Sequence, residues 1–127
     1  GQLDGPSGVA ADAAGAVYVA DDGNGRVEKF GPAGRYLAQW SGEDAGDGAL
    51  ASLAGITVGR DGNVYVADPK SMCLDEFSPD GALLARWCGY DAAPERFGHP
   101  ETVGVDPHGR VYVGNSAANC IEVIAPL

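Results

Sequence analysis

The run Val17-Tyr18-Val19-Ala20-Asp21 returns unchanged as Val64–Asp68. It returns a third time as Val111-Tyr112-Val113-Gly114-Asn115, at the same spacing of 47 residues. A fixed period of about 20–50 residues marks chains that stack one supersecondary unit on the next. The register carries much of the chain onto itself. Pro6 maps to Leu53 and Pro100, Val9 to Ile56 and Val103, and Val27 to Leu74 and Ile121. Phe30 maps to Phe77 and Ile124, and Trp40 to Trp87. The expected organisation is one domain of three units, about 1–47, 48–94 and a partial 95–127.

Each full unit reads as four short strands. The first strand is expected at Gly8–Ala11, Ile56–Val58 and Val103–Val105, and the second is the Val-Tyr-Val run. Asp12–Gly15 and Asp106–Gly109 read as the tight turns between them, because Asp bonds the backbone two residues on and Gly accepts positive φ. Asp21–Gly25 leads to a third strand at Arg26–Phe30. Gly31–Gly34 and Ser78–Gly81 make hairpin turns into fourth strands at Arg35–Trp40 and Ala82–Trp87. The final strand is expected at Ile121–Ile124, so the third unit lacks an outer strand. Twenty glycines and eight prolines, with no collagen period, suit a chain with many turns.

The second strand, Ala16–Ala20, does not alternate apolar with polar. Successive strand residues point to opposite faces, so an unbroken apolar run needs cover on both. No stretch has an amphipathic helical period, which leaves neighbouring sheets as the cover. Four-stranded antiparallel sheets packed face to face around an axis are the blades of a β-propeller. Tyr18, Tyr65 and Tyr112 are then expected at equivalent heights between blades, and Trp40 and Trp87 as outer-strand packing residues. The fold class is therefore all-β, an open partial propeller of about 2.7 blades. Such a stack leaves an exposed strand edge and uncovered apolar faces at its two ends.

The pattern Pro-x-Gly-Val-Ala-x-Asp-x-x-Gly-x-Val-Tyr-Val-Ala-Asp-x-Gly-Asn-x-Arg-Val-x-x-Phe, standing at Pro6–Phe30, resembles the NHL repeat. The second unit keeps Gly55-Ile56, Gly62–Asp68 and Phe77 but has Lys70–Cys73 in place of the Gly-Asn-x-Arg turn. The third keeps Pro100, Val103, Asp106, Gly109 and Val111–Val113. The resemblance implies a six-bladed parent architecture serving as a binding platform, a receptor ectodomain or, less often, a lyase. Three arrangements fit so short a chain. It is part of a larger propeller, it associates with identical copies into a ring or an open head-to-tail stack, or it is a short solenoid-like monomer.

The formal net charge is −10 and the pI about 4.3. Neutralising phosphates needs clustered Lys and Arg, so no nucleic-acid partner is expected. No apolar run approaches the roughly 18 residues of a membrane helix, so no membrane insertion is expected. The chain has no starting Met and no signal peptide, which suits a mature product or a fragment.

Asp12, Asp106, Asp21 and Asp68 recur at unit positions, which argues for a role in turns rather than in a metal site. Asp21–Gly25 lacks the later bidentate Glu of a calcium loop. His99 and His108 occupy different unit positions, and zinc wants three or four converging ligands. The lyases of the resembled family use histidines, but neither His99 nor His108 matches such a set. No catalytic residue, cofactor or metal is expected. Cys73 and Cys120 share a unit position, and Cys88 ends a strand that pairs with that of Cys73. A Cys73–Cys88 disulfide is geometrically open, with Cys120 left as a free or intermolecular thiol. The acidic linker Ser41–Gly48 and the stretch Tyr90–Glu95 offer loop contacts at Glu43, Asp44, Asp47, Tyr90, Asp91 and Glu95.

These features suit a non-catalytic binding or assembly module, acting by self-association of open blade edges or through its interblade loops. Its partners would be the chain itself, missing blades, or a protein ligand, and its location extracellular or periplasmic. The alternative is a fragment of a larger propeller enzyme, a lyase or metal-dependent hydrolase, or of a receptor ectodomain. The first strands, Val9–Ala11, Ile56–Val58 and Val103–Val105, carry few polar groups for an axial active site.

Overall fold

A computed structural model describes residues 2–41, 50–88 and 98–124. Among these residues eleven strands form three antiparallel sheets. The first holds β1 (Pro6–Ala11), β2 (Val17–Asp21), β3 (Arg26–Phe30) and β4 (Tyr36–Trp40) in sequence order. The second repeats this with β5 (Ile56–Val58), β6 (Val64–Asp68), β7 (Cys73–Phe77) and β8 (Leu83–Cys88). The third holds β9 (Pro100–Val105), β10 (Val111–Asn115) and β11 (Cys120–Ile124). A 3-10 turn at Asp22–Asn24 links β2 to β3. Among the described residues no helix is long and apolar enough to cross a membrane.

Several strands extend beyond their apolar segments. β1 starts at Pro6 rather than Gly8, because Pro6 pairs with Asp21 across a register shift before Gly8. β9 starts at Pro100 rather than Val103 for the same reason, with Pro100 opposite Asn115. β4 and β8 each start one residue later than the apolar pattern suggests. β8 then runs on to Cys88, which lies directly opposite Cys73. β11 begins at Cys120, opposite Asn115.

The β1–β2 turns show why the repeat tolerates one exception. Asp12 Oδ1 accepts from the Ala14 and Ala16 N–H groups, and Asp106 Oδ1 from those of His108 and Arg110. The second unit has Gly59 at this position, and Asp61 takes over by accepting from Asn63 N–H. A side chain at residue 59 would put its Cβ 2.9 Å from Asp61 Oδ1 and 3.2 Å from the Tyr65 ring. The glycine that closes each turn, at 15, 62 and 109, has φ of 92, 90 and 85°, which L side chains rarely adopt.

Pairing register assigns two faces to every sheet. On the first, Tyr18, Ala20, Val27, Lys29 and Trp40 share a front face, and Val9, Val19, Glu28 and Phe30 share the back. The front of the first sheet packs on the back of the second. Tyr18, Ala20 and Val27 meet Ile56, Val64, Val66 and Phe77 in one core, with Trp40 packed against it. The front of the second packs on the back of the third, where Tyr65 and Leu74 meet Val111, Val113 and Ile124, with Trp87 alongside. Each fully buried aliphatic or aromatic side chain stabilises by about 1.5–3 kcal/mol. These two interfaces, rather than any one sheet, therefore hold the fold.

Candidate interaction faces and the residues around them

The two interfaces are built from equivalent parts. Trp40 lies 6.2 Å from Tyr18 and 5.9 Å from Phe77, centroid to centroid, so it bridges the first two sheets. Lys29 stands 5.3 Å over the Tyr18 ring and donates to the Pro79 carbonyl across the interface at 3.0 Å. Each repeat tyrosine finds an acceptor: Asp12 for Tyr18, Glu76 for Tyr65, and Asp106 for Tyr112. Burial, with the Glu76 carboxylate beside it, raises the Tyr65 pKa further. Tyr18 and Tyr65 are buried between sheets. Tyr112 is only half-buried, because it lies on the front of the third sheet, which no described sheet covers.

That front face is the first open surface. Val27, Leu74 and Ile121 occupy one repeat position, yet Val27 and Leu74 are 0% exposed and Ile121 is 64% exposed. Val123 beside it is also exposed. The back of the first sheet is the second open surface. There Val9 is 66% exposed, whereas its equivalent Ile56 is 9% exposed.

The recurring acids do more than close turns. Asp21 is fully buried and accepts from the Asp4 N–H as well as from Asn24 and Arg26. Burial pushes its pKa up, but these donors hold it below the usual carboxylate value. Asp68 accepts from the N–H groups of Ala51, Ser52 and Ser71 and from the Ser52 hydroxyl. Asn115 accepts from the His99 N–H. Each of these residues ends a second strand and latches the segment leading into its own sheet. Asp106 is held at a pKa of about 2: desolvation opposes, but the Arg110 backbone and side chain, His108 and Tyr112 outweigh it.

A second acidic series went unread in the sequence. Glu28, Asp75 and Glu122 also recur at the 47-residue spacing, on the third strands. Glu28 and Asp75 are fully buried, with Arg26 2.8 Å from Glu28 and Arg86 3.4 Å from Asp75. Burial raises the Asp75 pKa to about 7, against the lowering pull of Arg86 and with help from Asp68. The period itself was the available signal.

Cys73 and Cys88 are joined by a disulfide between β7 and β8. The first sheet ties the same two strands differently, with Arg26 Nη1 donating to Gln39 Oε1 at 2.7 Å. Cys120 is a free, exposed thiol 3.5 Å from Glu122, and partial desolvation with that carboxylate raises its pKa. His99 Nε2 lies 3.2 Å from Glu101, and His108 sits exposed in a turn. Among the described residues no three His, Cys, Asp or Glu side chains converge as metal ligands. Glu43, Asp44, Asp47, Tyr90, Asp91 and Glu95 lie outside the described residues.

Residues 3–30 match the family model of the NHL repeat. The folded chain is similar to Kuenenia stuttgartiensis hydrazine synthase, with a TM-score of 0.76 and 15% identity over 98% of this chain and 33% of that one. It is also similar to a streptogramin B lyase (TM-score 0.70, 14% identity, 96% of this chain and 41% of that one). The WD40 β-propeller domain of Doa1 matches with a TM-score of 0.67 and 14% identity, over 89% of this chain and 34% of that one. Residues 3–30 thus hold an NHL repeat, on a chain with the β-propeller fold. No curated protein matches it. The chain spans less than half the length of each of these structures, and their identities are low enough to carry the fold alone. Its three sheets are successive blades, open rather than closed into a ring.

Proposed function

We propose that this NHL chain is a non-catalytic binding and assembly module whose working surfaces are its two open blade faces, with the interblade loops as further contacts. One observation carries the reading. A position fully buried in the first two blades, at Val27 and Leu74, is occupied by the exposed Ile121 in the third. Apolar side chains placed by the repeat to be covered, and left in water, mark an interaction surface. The Cys73–Cys88 disulfide supports an extracellular or periplasmic location, since such bonds persist where the surroundings oxidise. Eighteen acids against eight Lys and Arg argue against nucleic-acid partners.

A second reading is a fragment of a larger propeller enzyme or receptor ectodomain. The similarity to a streptogramin B lyase, of which this chain spans 41%, favours it. Light scattering across a concentration series separates the two. Association above the mass of one chain supports the assembly module. A monomer at every concentration removes self-assembly from the proposal and turns attention to further blades.

A further inference from the structure

The front of the third blade carries an open groove of about 300 Å³, and its lining repeats that of a filled seat. Thr102, Gly114, Asn115, Ser116, Asn119 and Ile121 line the groove. Two repeats earlier they correspond to Gly8, Ala20, Asp21, Asp22, Gly25 and Val27. In the first blade this seat is occupied. Leu50 and Leu53, which lead into the second blade, are 7% and 2% exposed and belong to the core with Ala20 and Val27. The Leu53 N–H donates to Asp22 Oδ1 at 2.8 Å, and the Ser7 hydroxyl donates to the Leu53 carbonyl at 2.7 Å. The turn beside the seat also keeps its shape in all three blades. Gly25, Met72 and Asn119 share one repeat position and have φ of 61, 57 and 54°.

The same chain carries an unused copy of the plug. Leu3 and Pro6 hold the repeat positions of Leu50 and Leu53, and both are exposed, Leu3 at 43%. Val9, the equivalent of Ile56, follows them on the open back of the first blade. Resting on the assembly reading above, we infer that the occupant of this groove is a second copy of the chain. Leu3 and Pro6 of that copy fill the groove, and its first-blade back covers Tyr112, Ile121 and Val123.

The contact continues an interface the chain already makes twice. Its polar chemistry closes as well. Leu53 has an N–H that needs Asp22, whereas Pro6 has none, so Ser116 at the position of Asp22 has no donor to satisfy. The second interface has the same character, with Pro69 and Pro100 at the two positions. Front-to-back docking is heterologous, so it propagates into a ring or an open stack according to its rotation.

The register gives a direct test. A Cβ on Gly8 would stand 3.2 Å from Ile56 Cγ2, and the corresponding pair between copies is Thr102 and Val9. Thr102→Cys and Val9→Cys are made separately, each with Cys120→Ser, then mixed and oxidised. The expected result is a disulfide-linked pair of chains in the mixture and none in either variant alone. If the parent chain associates but the mixture forms no such pair, the docking inference is overturned while the assembly reading stands. If the parent is a monomer and no pair forms, both fall, and the groove's occupant is a following blade of a longer chain.

Discussion

Among the described residues, the second blade is covered on both faces, whereas the first and third are each covered on one. The three share a sequence pattern, so the contrast isolates what a neighbour contributes. Leu74 and Ile121 have the same place in the repeat and the same kind of side chain, yet one is fully buried and the other mostly in water. The repeat therefore specifies a unit that cannot bury its own apolar surface. Stability resides in the joins, as in other stacked architectures.

The comparison breaks most sharply at the repeat tyrosines. Tyr65→Asp places a charge between the second and third blades beside the Glu76 carboxylate. Its expected cost is about 3–5 kcal/mol, enough to abolish the cooperative melt followed by circular dichroism. Tyr112→Asp on the open front should leave the melt near that of the parent, and equal losses would contradict the assignment of that face as uncovered. The next contrast is aliphatic. Leu74→Ala should lower stability by about 2–5 kcal/mol, while Ile121→Ala should change a monomeric sample by less than about 0.5 kcal/mol. Urea titrations of both variants measure this.

How far the sequence already carried this picture depends on locality. The Val-Tyr-Val runs and their turns were legible because strand, turn glycine and two-faced burial are all encoded within a few residues. The outer limits of β1 and β9 were not, because Pro6 and Pro100 pair only across a register shift. Glu28 and Asp75 were harder still. An acid in a strand reads as solvent-facing, and what buries these two is set by neighbouring strands and sheets. Cys73 opposite Cys88 was legible from the hairpin register, while the latching of Asp4 by Asp21 needs tertiary structure to see.

Blade-specific fastenings sharpen the comparison at smaller scale. The disulfide closes a loop with a sequence separation of 15, which constrains the unfolded chain by about 3 kcal/mol. Cys73→Ser with Cys88→Ser should cost about 2–4 kcal/mol. Gln39→Ala removes only the first blade's counterpart, the Arg26–Gln39 hydrogen bond, and should cost less, about 0.5–1.5 kcal/mol, in a thermal melt.

Asp75 gives an effect visible only with pH. Its folded pKa, about 7, lies above the ordinary 3.8. The folded state therefore holds a proton that the unfolded chain has released between about pH 4 and 7, and stability falls as pH rises through that window. The difference between 3.8 and about 7 corresponds to about 4 kcal/mol, and the loss is complete above the window. Asp75→Asn should flatten the slope in urea unfolding at pH 5 and 8. An unchanged slope would assign the dependence elsewhere. Asp106, held at about 2, acts with opposite sign and at lower pH.

The latch at the end of each second strand has a consequence for how such chains grow. Asp21, Asp68 and Asn115 each grip the backbone that introduces their own blade. A cassette of this kind brings its fastening with it when it is copied. Duplication, loss or exchange of one cassette leaves the others' latches intact. Blade number in this lineage is then a cheap variable for evolution, and the surface offered at each end of the stack changes with it.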